Sequence, residues 1–132
     1  MDRWRPSCQS SRGRDLADFQ VEWEEPVSTS YKGYDIYCPA PPCAGYQYLE
    51  TLNILEKDSL SELGHNSTDY LHLVIEAIKL ASADRAVYTC APNPPISGLL
   101  SKEYAAAQRK RIGKRAAVSG GERYTEDKLP DE

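Results

Sequence analysis

The sequence predicts an α+β chain, a β-hairpin followed by three helices, and three observations carry that reading. β-favouring residues alternate with serines at Val27, Thr29 and Tyr31, and a second β-favouring run, residues 34–37, follows Lys32-Gly33. From Ala44 onward the apolar spacing changes to steps of three and four residues, the period of a helix with one buried face. Prolines and glycines then punctuate the helical stretches, and nothing returns to the strand pattern that a βαβ unit would need.

Taken in order, the hairpin turn rests on Gly33, which supplies the positive φ of a two-residue turn, although Lys32 is a weaker first partner than Asn or Asp. Pro39, Pro41 and Pro42 end the second strand because each lacks an amide donor for a ladder. Residues 44–57 form the first expected helix, with Tyr48, Leu49, Leu52 and Leu55 on its buried face; a turn at 59–63 follows, stopped by Gly64. The second helix, residues 67–88, has Asn66 as its expected cap and Asp69 as an anion near the positive end of its dipole. Leu71, Val74, Ile75 and Ile78 are its expected buried stripe, flawed by Ser82. Residues 90–97 carry Pro92, Pro94 and Pro95 and read as a loop. The third helix, residues 99–112, follows from Leu100, Tyr104 and Ala107, with Lys110 and Arg111 in its last turn and Gly113 just beyond.

Composition sets the boundaries. Only 24 of the 132 residues are Leu, Ile, Val or Phe, so core material is thin, although nine tyrosines and two tryptophans add apolar area. The apolar residues concentrate between Trp23 and Tyr104. The expected organisation is a disordered lead at 1–14, an ordered segment at 15–113 and a flexible tail at 114–132, with part of the burial supplied by something larger. No stretch approaches the roughly 20 apolar residues of a membrane span, and residues 1–14 lack the apolar stretch of a secretion signal, so neither a membrane partner nor a compartment is assigned. A net charge of −4 argues against bulk attraction to nucleic acid. Four scattered cysteines, Cys8, Cys38, Cys43 and Cys90, do not make a disulfide framework, and the spacing of Cys38 and Cys43 about a proline-rich run decides nothing about their pairing.

A search for chemistry returns little. There is no phosphate-cradling glycine loop, nucleophile elbow or HExxH pair, and Ser119-Gly120-Gly121 reads as linker. His65 and His72 bracket the start of the second helix, but His65 precedes the cap, so the two do not share a face as zinc ligands would, even with Asp69 nearby. Cys43 stands where a helix dipole could lower a thiol pKa, yet no base is evident beside it; packing is the simpler use. Arg109, Lys110, Arg111, Lys114 and Arg115 form a basic cluster that a helix C-terminus explains without a nucleic-acid ligand. Asn66-Ser67-Thr68 fits an N-glycosylation pattern, but helix capping is the simpler use of those residues. No catalytic, cofactor-binding or metal-binding residue is assigned.

Residues 63–85, LGHNSTDYLHLVIEAIKLASADR, resemble the stretch LGHNSADYLHLLIEAMKLAFADR of gamma-glutamyltransferases. The likeness extends outward: residues 21–37 are similar to the family's VEW..EP....Y.GY..Y, residues 52–56 read LNILE, and residues 98–105 read GLLSKEYA. On these motifs the chain is identified as similar to the C-terminal part of the family's large subunit, over about residues 15–112.

The resemblance implies an Ntn-hydrolase αββα sandwich, of which this hairpin and its helices would be a fragment. It further implies a precursor that cuts itself before a threonine, whose free amine serves as base for its own hydroxyl in attacking a gamma-glutamyl amide of the glutathione type. Thr29, Thr51, Thr68 and Thr89 lie inside expected elements, Thr125 is not in a TTHF-like start, and the family's carboxylate-binding arginine belongs to an earlier region. The expected partners are therefore the remainder of a large subunit and a threonine-headed small subunit, and the chain alone is expected to be an inactive, truncated segment. Three departures put the substrate in question: Pro41-Pro42-Cys43-Ala44-Gly45-Tyr46 for much of PPPSSGG, Ser82 for Phe, and Cys90-Ala91-Pro92 for a GDP-like turn. The alternative is a small non-enzymatic α+β interaction module that uses exposed helix faces or the basic cluster at 109–115.

Overall fold

The computed structural model describes residues 23–88 and 93–117, together with residues 18, 20, 21 and 91. The lead expected at 1–14, Cys8, Thr89, Cys90, Ser119-Gly120-Gly121 and Thr125 lie outside the described residues, as does most of the expected tail.

The expected hairpin forms. β1 (Val27–Tyr31) pairs antiparallel with β2 (Tyr34–Cys38) in a register that sets Val27 opposite Cys38, Thr29 opposite Ile36 and Tyr31 opposite Tyr34. Both turn residues take positive φ, Lys32 at 49° and Gly33 at 88°, as a two-residue turn with matching twist requires. Lys32 tolerates that conformation while its ammonium donates to the carbonyl of Asp58 at 2.9 Å and lies 5.7 Å from the centre of the Tyr31 ring. Alternation puts Val27, Thr29 and Tyr31 half-buried against the first helix, while Ser28 and Ser30 face out.

α1 (Tyr46–Leu55) is shorter than the predicted 44–57, and its buried face keeps Leu49 and Leu55 as expected, with Leu52 half-buried, but is rotated away from Tyr48. Tyr46, Leu49, Glu50, Asn53, Ile54 and Leu55 are buried; Tyr48, expected in the core, is exposed. The shift brings two polar residues inside, Glu50 and Asn53; Asn53 bonds there to Thr29 and Leu100, and polarity alone does not mark either residue as outward-facing.

α2 (Thr68–Tyr88) differs more. Its cap is Ser67, whose Oγ accepts from the amide of Tyr70 at 3.1 Å, and not Asn66, which sits at φ 58° in the turn with Gly64 at φ 80°. The predicted stripe is also misplaced. Leu71, Ile75 and Ile78 remain 41%, 49% and 43% exposed, while Leu73, Glu76, Ala77, Ala81, Asp84 and Tyr88 are buried. Ala77 and Ala81, both fully buried, let the backbones of α1 and α2 approach closely, and larger side chains would hold them apart.

The predicted third helix is divided. A single turn, α3 (Ile96–Leu99), precedes α4 (Lys102–Arg111). Ser101 lies between them in an extended conformation (φ −68°, ψ 146°), and its side chain caps α4 by accepting from Tyr104 N at 3.2 Å. Leu99, Tyr104, Ala105 and Gln108 are buried; Ala107, expected inside, is exposed.

Two apolar clusters result. Ile54, Leu55, Leu73, Ala77 and Ala105 join α1, α2 and α4 at one end, with Leu60, Val74, Leu80 and Ile112 at the margin. Tyr46, Tyr88, Leu99 and Tyr104 form the other, against which Val27 and Ile96 pack.

Candidate functional site

The polar side chains gather at three places. The most buried is the junction of α1, α2 and α4, where Glu50, Asp84 and Gln108 are each at most 1% exposed. Asp84 Oδ2 accepts from the Tyr104 hydroxyl at 2.6 Å and from Gln108 Nε2 at 3.0 Å; Gln108 Nε2 also donates to the Tyr104 hydroxyl at 2.5 Å. Neither Glu50 oxygen accepts a bond from the protein, and its neighbour is the Asp84 carboxylate. An ionised Glu50 would be a buried, unpartnered anion beside another. Burial first, then the hydrogen bond to Asp84 and the repulsion from it, push the Glu50 pKa up to about 10. Glu50 thus keeps its proton at neutral pH and becomes the donor that Asp84 can accept. The cluster closes helix packing, and its members are too buried to meet a substrate.

The second place joins hairpin to helices. Lys102, at the start of α4, donates to Ser30 O at 2.5 Å, Asn53 Oδ1 at 2.7 Å and Thr29 Oγ1 at 3.3 Å, and pairs with Glu56 Oε2 at 3.0 Å. Asn53 in turn accepts from Thr29 Oγ1 at 2.7 Å and donates to Leu100 O at 3.0 Å. Lys102 therefore sits in a cage of oxygens drawn from β1 and α1. With every contact taken by the scaffold, this lysine is a latch rather than a base or Schiff-base former.

The third is an open cleft of about 770 Å³, bounded among others by Asp58, Asp69, His72, Arg109 and Lys114. Arg109 grips Asp58 through two bonds, Nε to Oδ2 at 2.7 Å and Nη2 to Oδ1 at 2.8 Å, so its guanidinium is committed to the turn after α1. Along the adjoining face of α2, His72, Glu76 and Lys79 hold the chain that leaves α4. His72 Nε2 contacts Gly113 O at 2.8 Å, Glu76 Oε2 accepts from Ala117 N at 3.2 Å, and Lys79 Nζ donates to Ala117 O at 2.8 Å. The Lys79 ammonium, bonded to Glu76 Oε1 at 2.7 Å, holds the Glu76 carboxyl below the usual range despite burial.

The residues weighed in the sequence are distributed among these places without forming one site. His65 is exposed and packs its ring 5.9 Å from that of Tyr70, while His72 faces Gly113; no group of three metal-ligating side chains exists among the described residues. Cys43 is an exposed free thiol in the turn before α1. Of the basic cluster, Arg109 is paired with Asp58 and Arg111 donates to Gln108 Oε1 at 2.7 Å, whereas Lys110, Lys114 and Arg115 are exposed. Thr29 spends its hydroxyl on Asn53 Oδ1 at 2.7 Å and Thr51 on Gln47 O at 2.8 Å. The Glu50–Asp84 junction and the Lys102 latch escaped sequence reading because each joins residues more than 30 positions apart. The i, i+4, i+7 spacing of His72, Glu76 and Lys79 was the one local signal of a shared face.

The family model described as gamma-glutamyltranspeptidase matches residues 10–130. The chain is 42% identical over 118 residues to the acylase ACY 1 proenzyme of Pseudomonas sp. strain SE83, covering 82% of this chain and 21% of that protein. It is 38% identical over 104 residues to the glutathione hydrolase-like YwrD proenzyme of Bacillus subtilis strain 168, covering 74% and 20%. The crystal structure of Helicobacter pylori gamma-glutamyltranspeptidase superposes with a TM-score of 0.76 at 34% identity, over 82% of this chain and 32% of that one. The chain thus spans about a fifth of the length of the curated relatives it matches.

Proposed function

The chain belongs to the gamma-glutamyltranspeptidase family, and from that premise we propose that it is a large-subunit scaffold segment of an enzyme that transfers or hydrolyses a gamma-glutamyl or related amide. In this reading it contributes packing surface and no reacting group. It corresponds to one hairpin and the following helices of an αββα sandwich, and the rest of the large subunit with a threonine-headed small subunit covers what it leaves open.

The observation that carries the proposal is the apolar outer face of α2. Leu71, Ile75 and Ile78 fall on one side of a helix whose opposite side is already packed on α1 and α4, and all three remain more than 40% exposed. A helix apolar on two sides is the pattern of an element buried within a larger body. The hairpin has the same character, since a sheet of two strands leaves both outer edges open to further strands. Proteins about four times as long supply ample chain to cover both. The acylase and glutathione hydrolase names of the relatives support an amide as the parent substrate class.

Two measurements test this. The purified 132-residue chain should show no turnover of a gamma-glutamyl anilide, and activity abolished by a point substitution within this chain would overturn the scaffold reading. The triple variant Leu71→Ser, Ile75→Ser, Ile78→Ser should be less prone to self-association in sedimentation than the unmodified chain. An unmodified chain that stays monomeric across the concentration range would refute the claim that this face awaits a partner.

A further inference from the structure

We propose that Cys38 and Cys43 form a reversible thiol–disulfide pair, a modification site that clamps the end of the hairpin to the start of α1. Both thiols are free, Cys38 half-buried at the end of β2 and Cys43 exposed in the following turn. The intervening chain reverses direction, with Cys43 N donating to Ala40 O at 3.1 Å. It then returns to its starting point. A Cβ added at Gly45 would lie 2.8 Å from Cys38 Cβ and 2.9 Å from Cys38 Sγ, so the backbone of residue 45 rests directly on the Cys38 side chain. The loop from 38 to 45 is thereby closed by contact at Cys38, and Cys43 stands two residues from that contact. The two sulfurs are also electrostatic neighbours: burial, and then the proximity of Cys43, push the Cys38 thiol up.

The chemistry needs an oxidant, and a low-molecular-weight disulfide suffices. Exposed Cys43 reacts first: its thiolate attacks one sulfur of the small disulfide, a mixed disulfide forms, and one small thiolate leaves and takes up the Cys43 proton. Cys38 then gives up its proton, its sulfur attacks Cys43 Sγ, and the second small thiolate departs with that proton. Two protein thiols have lost two electrons, and one small disulfide has become two thiols.

The test uses the full chain with Cys8→Ser and Cys90→Ser, equilibrated in glutathione and glutathione disulfide, with and without urea, and read by mass spectrometry after acid quenching. Expected is a loss of about 2 Da mapped to a Cys38–Cys43 link, with an equilibrium constant at least about tenfold larger in buffer than in urea. Equal constants in the two conditions would overturn the proposal, and so would a mixed disulfide that persists on Cys43 with Cys38 still reduced. Adding Gly45→Ala should bring the constant in buffer toward the urea value; an unchanged constant would overturn the claim that the Gly45–Cys38 contact brings the two thiols together.

Discussion

Glu50→Gln isolates the proton that the α1–α2–α4 junction holds. The amide keeps the shape of a protonated carboxyl and can donate to Asp84 without ever ionising. In the native chain Glu50 stays protonated up to about pH 10, whereas an unfolded glutamate releases its proton near its ordinary value of 4.5. The native state therefore binds more protons between those limits, and its stability must fall as pH rises. The contribution is complete below the unfolded pKa and is lost progressively until the folded pKa is reached. Each pH unit inside the window is worth at most about 1.4 kcal/mol, so the upper bound on the loss between pH 5 and pH 8 is about 4 kcal/mol. That is a large share of the roughly 5–15 kcal/mol that holds an ordinary domain folded. The assay is urea unfolding followed by circular dichroism at unit steps from pH 5 to pH 8, on the native chain and the Gln variant. The native midpoint should fall steadily while the Gln midpoint stays nearly level, so that the variant is the more stable at pH 8. Parallel profiles would refute the protonated-Glu50 assignment, because no other change distinguishes the two chains.

Two further outcomes follow from the same geometry. Lys102→Met removes the latch between β1 and α1 while keeping the aliphatic stem, and should cost about 1–2 kcal/mol because the ammonium is partly exposed; hydrogen exchange should rise first in the hairpin amides, and uniform acceleration across the chain would refute the latch. Ser67→Ala should destabilise by about 1 kcal/mol in urea unfolding, whereas Asn66→Gly, which relieves a left-handed residue, should not; the reverse order would restore Asn66 as the cap.

Local signals account for what was legible beforehand. The alternation of Val27, Thr29 and Tyr31 and the positive φ available to Gly33 specify the hairpin within a few residues of chain, and the structure has it where expected. The second helix likewise begins where its polar start and apolar spacing predict, with Ser67 and not Asn66 as the capping side chain. Ser101 could have been read as a cap as well. Its hydroxyl lies three residues before Tyr104, but the apolar run across Leu99 and Leu100 made a single helix look continuous.

Sequence by itself therefore determined the order and kind of the elements, apart from the break at Ser101, and, through motifs spread over residues 21–105, the family to which the chain belongs. Tertiary structure alone decided which face of α2 is inside. The reason is physical: on α2 the large apolar residues Leu71, Ile75 and Ile78 announce a buried stripe, but Ala77 and Ala81 permit the closest helix approach, and that contact wins. It also decided that Glu50, Asp84 and Gln108 belong in the core, because a buried polar group is admissible only when distant residues complete its bonding. The stripe that α2 leaves outside is apolar for the same reason that the chain's core material is thin: its complement is expected in the larger body to which the family's other members correspond.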